Sequence, residues 1–146
     1  MFYQKSHDDY LLRLELGEDV HDILHRFAEK ELITTATLTG LGAMNYAKIA
    51  HYPLSEKRYN AQEFTGEFEV ANLMGNISRV GGKPFAHIHV TLGRADYSLF
   101  GGHLMQGTVS PTLEIHLHRF PFDTRRLPDE ETGLKYVDYA KLTVPL

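Results

Sequence analysis

The run Phe85-Ala-His-Ile-His-Val-Thr-Leu-Gly93 alternates with a period of two, and that period leaves the backbone little choice but a β-strand. Successive side chains of a strand point to opposite faces, so His87 and His89 share one face. Their Cα atoms then stand about 6.5–7 Å apart, close enough for one nitrogen of each to reach a single ion with N–metal bonds of about 2.0–2.1 Å. After a short polar turn, Phe100-Gly-Gly-His-Leu-Met-Gln-Gly-Thr108 offers His103 as a third ligand. Gly101 and Gly102 carry no Cβ, which lets the backbone take positive φ and approach a neighbouring strand closely. Three neutral nitrogens leave a fourth position for water or a small ligand. A His₃ set with an open position is the pattern of catalytic zinc, because structural sites use four protein ligands and favour cysteine, and this chain has none. The competing reading is that these are packed histidines bonded to backbone or carboxylate, since an H-x-H pair arises readily in a chain with nine histidines.

Composition sets the frame around that site. A chain of 146 residues accommodates one well-packed domain, so residues 1–146 are read as a single unit. Hydrophobic content of 42% with 23% charged residues is that of a globular protein, and no apolar run approaches the ~18 residues needed to cross a bilayer. The first residues contain no long apolar stretch of the secretory type, which makes the cytoplasm the expected location and leaves no membrane partner. Absence of cysteine excludes disulfides and thiolate chemistry. A net charge of −4 provides no general attraction to nucleic acid.

Periodicity along the chain predicts one helix and a series of strands. Residues 10–16 alternate as a strand that Gly17 ends, and Val20, Ile23, Leu24, Phe27 and Ala28 form one apolar face of a helix over about 19–30. Strands are expected at 34–39, broken by a turn at Gly40-Leu-Gly42, and at 46–52, 63–73, 85–92, 98–105 and 112–119. One early helix followed by strands on short turns argues for an α+β fold with a mainly antiparallel sheet and the helix packed on one side.

Two further histidine groupings need separate weighing. His21-Asp-Ile-Leu-His25 echoes a zincin helix, but the expected glutamate is Asp22 and both histidines lie off the apolar stripe, which predicts a solvated face. His116 and His118 share a strand face opposite Leu113, Ile115 and Leu117, and either line the same cleft or meet solvent. Glu114, on their face, is read either as a carboxylate that orients a ligand imidazole or as an exposed strand residue. Glu69 and Glu114 are the candidate general bases, and Arg13 beside Glu15 reads as a surface ion pair.

Arg13-Leu-Glu-Leu-Gly17-Glu-Asp19 before the helix, Leu38-Thr-Gly40-Leu-Gly42-Ala after it, Phe68-Glu69-Val, Leu73-Met-Gly75-Asn-Ile77, His87-Ile-His89 and Gly101-Gly-His103-Leu-Met-Gln-Gly107 follow one another in an order that resembles the PPC (plants and prokaryotes conserved) domain. The resemblance is strongest over about 10–118. It implies an α+β fold assembled as a homotrimer, with the H-x-H and G-G-H histidines of stand-alone prokaryotic members binding a metal, zinc or another first-row divalent ion, at His87, His89 and His103. It also implies an association with DNA, which in plant members runs through an AT-hook built around Arg-Gly-Arg-Pro, a segment this chain lacks. The basic residues here are scattered, with Lys57-Arg58 and Arg125-Arg126 the densest pairs, so there is little to release counterions from phosphate. Three readings follow: a trimeric metal-binding protein with an open coordination position and a small-molecule ligand, a DNA-associated regulator, and a ligand or protein interaction module with structural histidines. The segment 120–146, with Pro121, Pro128 and Pro145, is expected to wrap the domain or a neighbouring subunit.

Overall fold

Strands longer than about ten residues do not stay flat, because right-handed twist accumulates along them. Three strands of 16 to 21 residues dominate the computed structural model, which describes residues 1–138: β3 (Ala36–His51), β4 (Asn60–Val80) and β6 (Leu99–Arg119). They are preceded by the hairpin of β1 (Phe2–Ser6) and β2 (Asp9–Glu15) and by helix α1 (Val20–Lys30), interleaved with β5 (Lys83–Gly93), and followed by the short β7 (Arg125–Pro128) and β8 (Lys135–Asp138). All strand pairs are antiparallel except a single β4–β7 contact at Arg79 and Arg125. The expected architecture, a mostly antiparallel sheet with one helix, is therefore the observed one. No helix among the described residues is long and apolar enough to cross a membrane.

The pairing is cyclic. β3 pairs with β4, β4 with β5, β5 with β6, and β6 returns to β3, so four strands close on themselves, while β2 and then β1 extend the sheet from the C-terminal half of β6. Inward residues alternate along the central strands. Tyr10, Leu12 and Leu14 of β2, Leu73 and Ile77 of β4, Ile88, Val90 and Leu92 of β5, and Leu113, Ile115 and Leu117 of β6 are all buried. The helix adds Val20, Ile23, Leu24, Phe27 and Ala28, the apolar face that its 3.6-residue period dictates. Asp19 caps it, with Oδ1 accepting from the Asp22 amide at 3.0 Å.

Gly40 and Gly42, expected at a turn, instead lie inside the continuous β3, where the register shifts between them. The reason is close approach. A Cβ on Gly40 would sit 2.7 Å from the Glu114 carbonyl oxygen, and one on Gly42 would collide with the Thr112 carbonyl. Glycine there serves a bulge, which bends the strand and keeps β6 against it. The strand β1 escapes a periodicity reading because its burial pattern shows no alternation between a buried and an exposed face.

Strands β5 and β6 pair from Gly93–Leu99 only as far as His89–His103. Beyond that rung β6 continues along β3, whereas residues 83–88 of β5 keep only β4 as a strand neighbour among the described residues. A wedge opens between the two strands, and α1 fills it. Residues 17–19 lie along the β6 side, where Gly17 donates to the Val109 carbonyl and Val109 to the Glu18 carbonyl. On the β5 side, the Ala86 amide donates to Nε2 of His25 at 3.1 Å.

Close backbone approach gives a direct test of this packing. A Cβ on Gly75 would strike the His87 carbonyl, whereas one on Gly93 would meet only ordinary contacts at 3.5 Å and beyond. Gly75→Ala is expected to lower stability by about 1–3 kcal/mol and Gly93→Ala by much less, measured as the shift of the urea midpoint at constant slope.

Candidate metal centre

On β5 the inward set Ala86, Ile88, Val90 and Leu92 is buried, which turns Phe85, His87, His89 and Thr91 outward. His89 stands directly opposite His103 on β6. Gly101 makes that rung attainable: it faces Thr91, and a Cβ there would collide with the Val90 carbonyl. At Gly102, φ of +153° and a prospective Cβ 3.0 Å from the Ala50 carbonyl both favour glycine.

The three rings converge. Their centroids are 5.2 Å apart for His87 and His89, 5.1 Å for His87 and His103, and 5.5 Å for His89 and His103. One nitrogen of each lies within 4.8 Å of the others. Two nitrogens sharing a tetrahedral ion at 2.0–2.1 Å are roughly 3.3 Å apart, so small side-chain rotations close the set around one ion. The donor chemistry also fits. Burial, with the nearby Arg126 guanidinium and the other two rings, pushes His87 down to about 4, and burial followed by His89 and Arg126 lowers His103. Both rings are neutral at physiological pH, the form that ligates a metal.

Arg126 is the neighbour that sequence reasoning missed. It reaches over β4 and β5 from β7, with Nη2 3.2 Å from His87 Nδ1 and 2.9 Å from Asn76 Oδ1, Nε donating to Ser78 Oγ and Nη1 to the Lys135 carbonyl. Its guanidinium also lies over the Phe85 ring at 5.3 Å. The C-terminal segment is thus laid against the strand that carries His87, and its last residues, 139–146, lie outside the described ones. Tyr59 stacks on His103, with centroids 4.9 Å apart and planes at 25°. Beside His89 lies a cavity of about 320 Å³ lined by Asn72, Met74, Thr91 and the two glycines.

The other candidates are placed elsewhere. Glu114 faces Arg13 and Leu41 across its neighbouring strands and lines a groove on the outer sheet surface; the side chain beside His87 is Arg126 instead. Glu69 is opposite Gly93, at the far end of β5 from His87. His116 and His118 turn away from the core and share one carboxylate, each placing a ring nitrogen 2.9 Å from Asp9 Oδ1. Those two bonds, His118 first, hold Asp9 below the ordinary carboxylate value. His21 and His25 overturn the expectation of a solvated helix face: both are half-buried in the wedge. They lie off the stripe of fully buried residues, but the splitting of β5 from β6 brings a second surface against that side of the helix. Burial, the largest influence, pushes His21 down to about 4.

A model of the Plants and Prokaryotes Conserved (PCC) domain matches residues 1–121. No curated protein sequence matches the chain. Among solved structures, a plant- and prokaryote-conserved protein from Pyrococcus horikoshii is 33% identical, with 97% of each chain covered and a TM-score of 0.85. A metal-containing protein from Archaeoglobus fulgidus is 32% identical over 95% of this chain and 99% of its own, with a TM-score of 0.86. A proposed DNA-binding protein from Ralstonia eutropha is 30% identical over 94% and 95%, with a TM-score of 0.88.

The lowered histidines fix the sign of a pH effect. Unfolded imidazoles take up protons near 6.5, whereas His21 and His87 stay neutral in the fold down to about 4, so the unfolded state binds more protons across that window. Stability of chelator-treated protein is expected to fall as the pH drops from about 6.5 towards 4. Lowered carboxylates such as Glu18 and Asp9 add their loss only as the pH falls through the acid range below their ordinary values of 4.5 and 3.8. Urea midpoints between pH 7 and 4.5 should decline, and His87→Gln should shrink the decline.

Proposed function

The chain belongs to the plants and prokaryotes conserved domain family, and from that premise we propose that it is a metal-binding protein whose His87, His89 and His103 hold one divalent first-row ion, zinc first among them, with a coordination position left open to a small ligand. The observation that carries this reading is the convergence of three imidazoles within 4.8 Å on a rigid two-strand rung. An all-nitrogen set without thiolates suits zinc and its first-row neighbours, and three ligands rather than four suit a site where a ligand enters. The metal content named for the Archaeoglobus relative supports the same reading.

When bound, the ion supplies Lewis acidity towards an oxygen-bearing ligand. The residues of the chain do the rest. Burial keeps His87 and His103 neutral and available, the ladder sets the distance between His89 and His103, and Tyr59 covers one face of His103. The cavity beside His89 offers room for a small molecule. No carboxylate joins the cluster among the described residues.

The assembly belongs to the same proposal: a cytoplasmic homotrimer. In support, an outer groove of about 850 Å³ across β1, β2, β6, β3 and β4 gathers the exposed Phe2, Leu11 and Leu41 around Arg13 and Glu114, a surface suited to burial between copies. DNA association, the second reading, draws on the description of the Ralstonia relative. It has weaker physical support. Lys5, Arg13, Arg26, Lys48, Arg58 and Arg125 are each within 4.0 Å of a carboxylate, so six of the fifteen lysines and arginines are already matched in a chain of net charge −4.

Elemental analysis of untagged protein by plasma mass spectrometry is expected to find close to one zinc per chain, lost in His103→Ala while native mass spectrometry still records the trimer. Protein that takes up no first-row metal after reconstitution, yet binds duplex DNA with a steep salt dependence, would shift the assignment to the DNA-associated reading.

A further inference from the structure

Among the buried side-chain polar atoms with no hydrogen-bond partner among the described residues, three belong to the start of α1 and to the histidine cluster: Asp19 Oδ2, His21 Nδ1 and His103 Nδ1. Native proteins rarely leave such atoms unmatched. The fold brings their residues to one place. Asp19 bridges to Thr108 on the β6 side of the wedge, and His25, one helical turn after His21, accepts from the Ala86 amide on the β5 side. His21 sits between them, its ring centroid 6.0 Å from that of His25, and its electrostatic neighbours are Asp19, His25 and His103. Asp19 uses Oδ1 for the helix cap, which leaves Oδ2 for another partner. The wedge is closed at its narrow end by the His89–His103 rung itself.

Metal-ligating histidines almost always give their second nitrogen to a carboxylate, a carbonyl or a water, which sets the tautomer and the ring orientation. His87 has Arg126 at its Nδ1. His103 Nδ1 has no such partner among the described residues, and His103 is among the groups that act electrostatically on the half-buried His21. An ordered water needs two to four polar partners, and Asp19, His21 and His103 offer three.

We propose that His21 is a positioning residue for His103: Asp19 Oδ2, His21 Nδ1 and His103 Nδ1 are joined through ordered water into one hydrogen-bonded line that holds the His103 ring with its other nitrogen towards the cluster. The inference rests on the metal-binding reading and adds to it a role for the helix. It gives the His21-Asp-Ile-Leu-His25 segment two separate tasks. His25 completes the backbone hydrogen bonding of β5 at Ala86, and His21 supports the site from behind.

The test compares wild type, His21→Ala and His21→Gln, the last retaining a polar group able to meet the same water. Zinc affinity is read by competition with a chromophoric chelator, and melting temperature is read on metal-free protein. His21→Ala is expected to bind zinc about 10–100-fold more weakly with the metal-free melting temperature unchanged, and His21→Gln to recover part of the loss. Long-range ¹H–¹⁵N spectra of the zinc-loaded wild type should show His103 in one tautomer with Nδ1 protonated, and exchange broadening in His21→Ala. Equal zinc affinity in wild type and His21→Ala overturns the inference alone. So does a loss of affinity that follows a fall in metal-free melting temperature and is the same in both variants. Wild type that takes up no zinc overturns this inference together with the metal-binding reading beneath it.

Discussion

The cross-strand pair His89–His103 is the rung on which both the barrel and the candidate site depend. It is the last place where β5 and β6 meet, so it closes the ring of four strands and at the same time opens the wedge that receives α1. Two constraints converge there. Backbone pairing holds the two Cα atoms of a directly opposed antiparallel pair about 4.5–5.5 Å apart; Gly101 permits the approach of β5 by leaving no Cβ against Val90, and Gly102 does the same towards Ala50 of β3. The distance between two of the three ligand candidates is therefore set by sheet geometry, and only His87 reaches the cluster by the two-residue step along its own strand. Sites built on rigid elements in this way need little side-chain ordering when a ligand arrives.

Local periodicity carried most of this into the sequence. The alternation through residues 85–92 fixed the shared face of His87 and His89, and the spacing of Val20, Ile23, Leu24, Phe27 and Ala28 fixed the buried face of α1. The Gly101-Gly102 pair by itself points to a close backbone approach. What stayed hidden depends on contacts distant in sequence. Nothing local to Arg126 says that β7 will lie parallel to β4 and bring its guanidinium to His87, 39 residues away. His21 and His25 read as solvated because helical periodicity reports only the main buried stripe, whereas the second surface covering them exists only where two strands part. Gly40 and Gly42 read as a turn because glycine serves a turn and a bulge by the same freedom, and the choice between them is made by β6 on the other side. Glu114 shares its strand with His103, but the length and bend of β6 carry it to the outer groove.

The distribution of charge separates the functional readings more sharply than the net value does. Exposed ion pairs such as Lys48 with Glu63 at 3.0 Å and Arg58 with Glu56 at 2.9 Å add little stability. Their effect is to match basic side chains individually, six of the fifteen lysines and arginines of the chain. Around His87 and His103 the influences are burial first, then other imidazoles and the Arg126 guanidinium, with no carboxylate named among them.

Ring closure has one more consequence, for how the chain behaves in crowded solution. A strand with an unpaired flank is a template on which a second chain can add, and barrels avoid this by having no ends. Here β3, β4 and β6 are paired on both flanks, and the flank of β5 that β6 abandons is shielded by α1, with the His25 imidazole taking up the Ala86 amide that would otherwise point outward. Among the described residues the hairpin strand β1 pairs with β2 alone, and it is five residues long with Gln4, Lys5 and Ser6 exposed along it. The histidine that looks least connected to any ligand thus acts as a guard against cross-β addition, and the helix that completes the core also caps the sheet sideways.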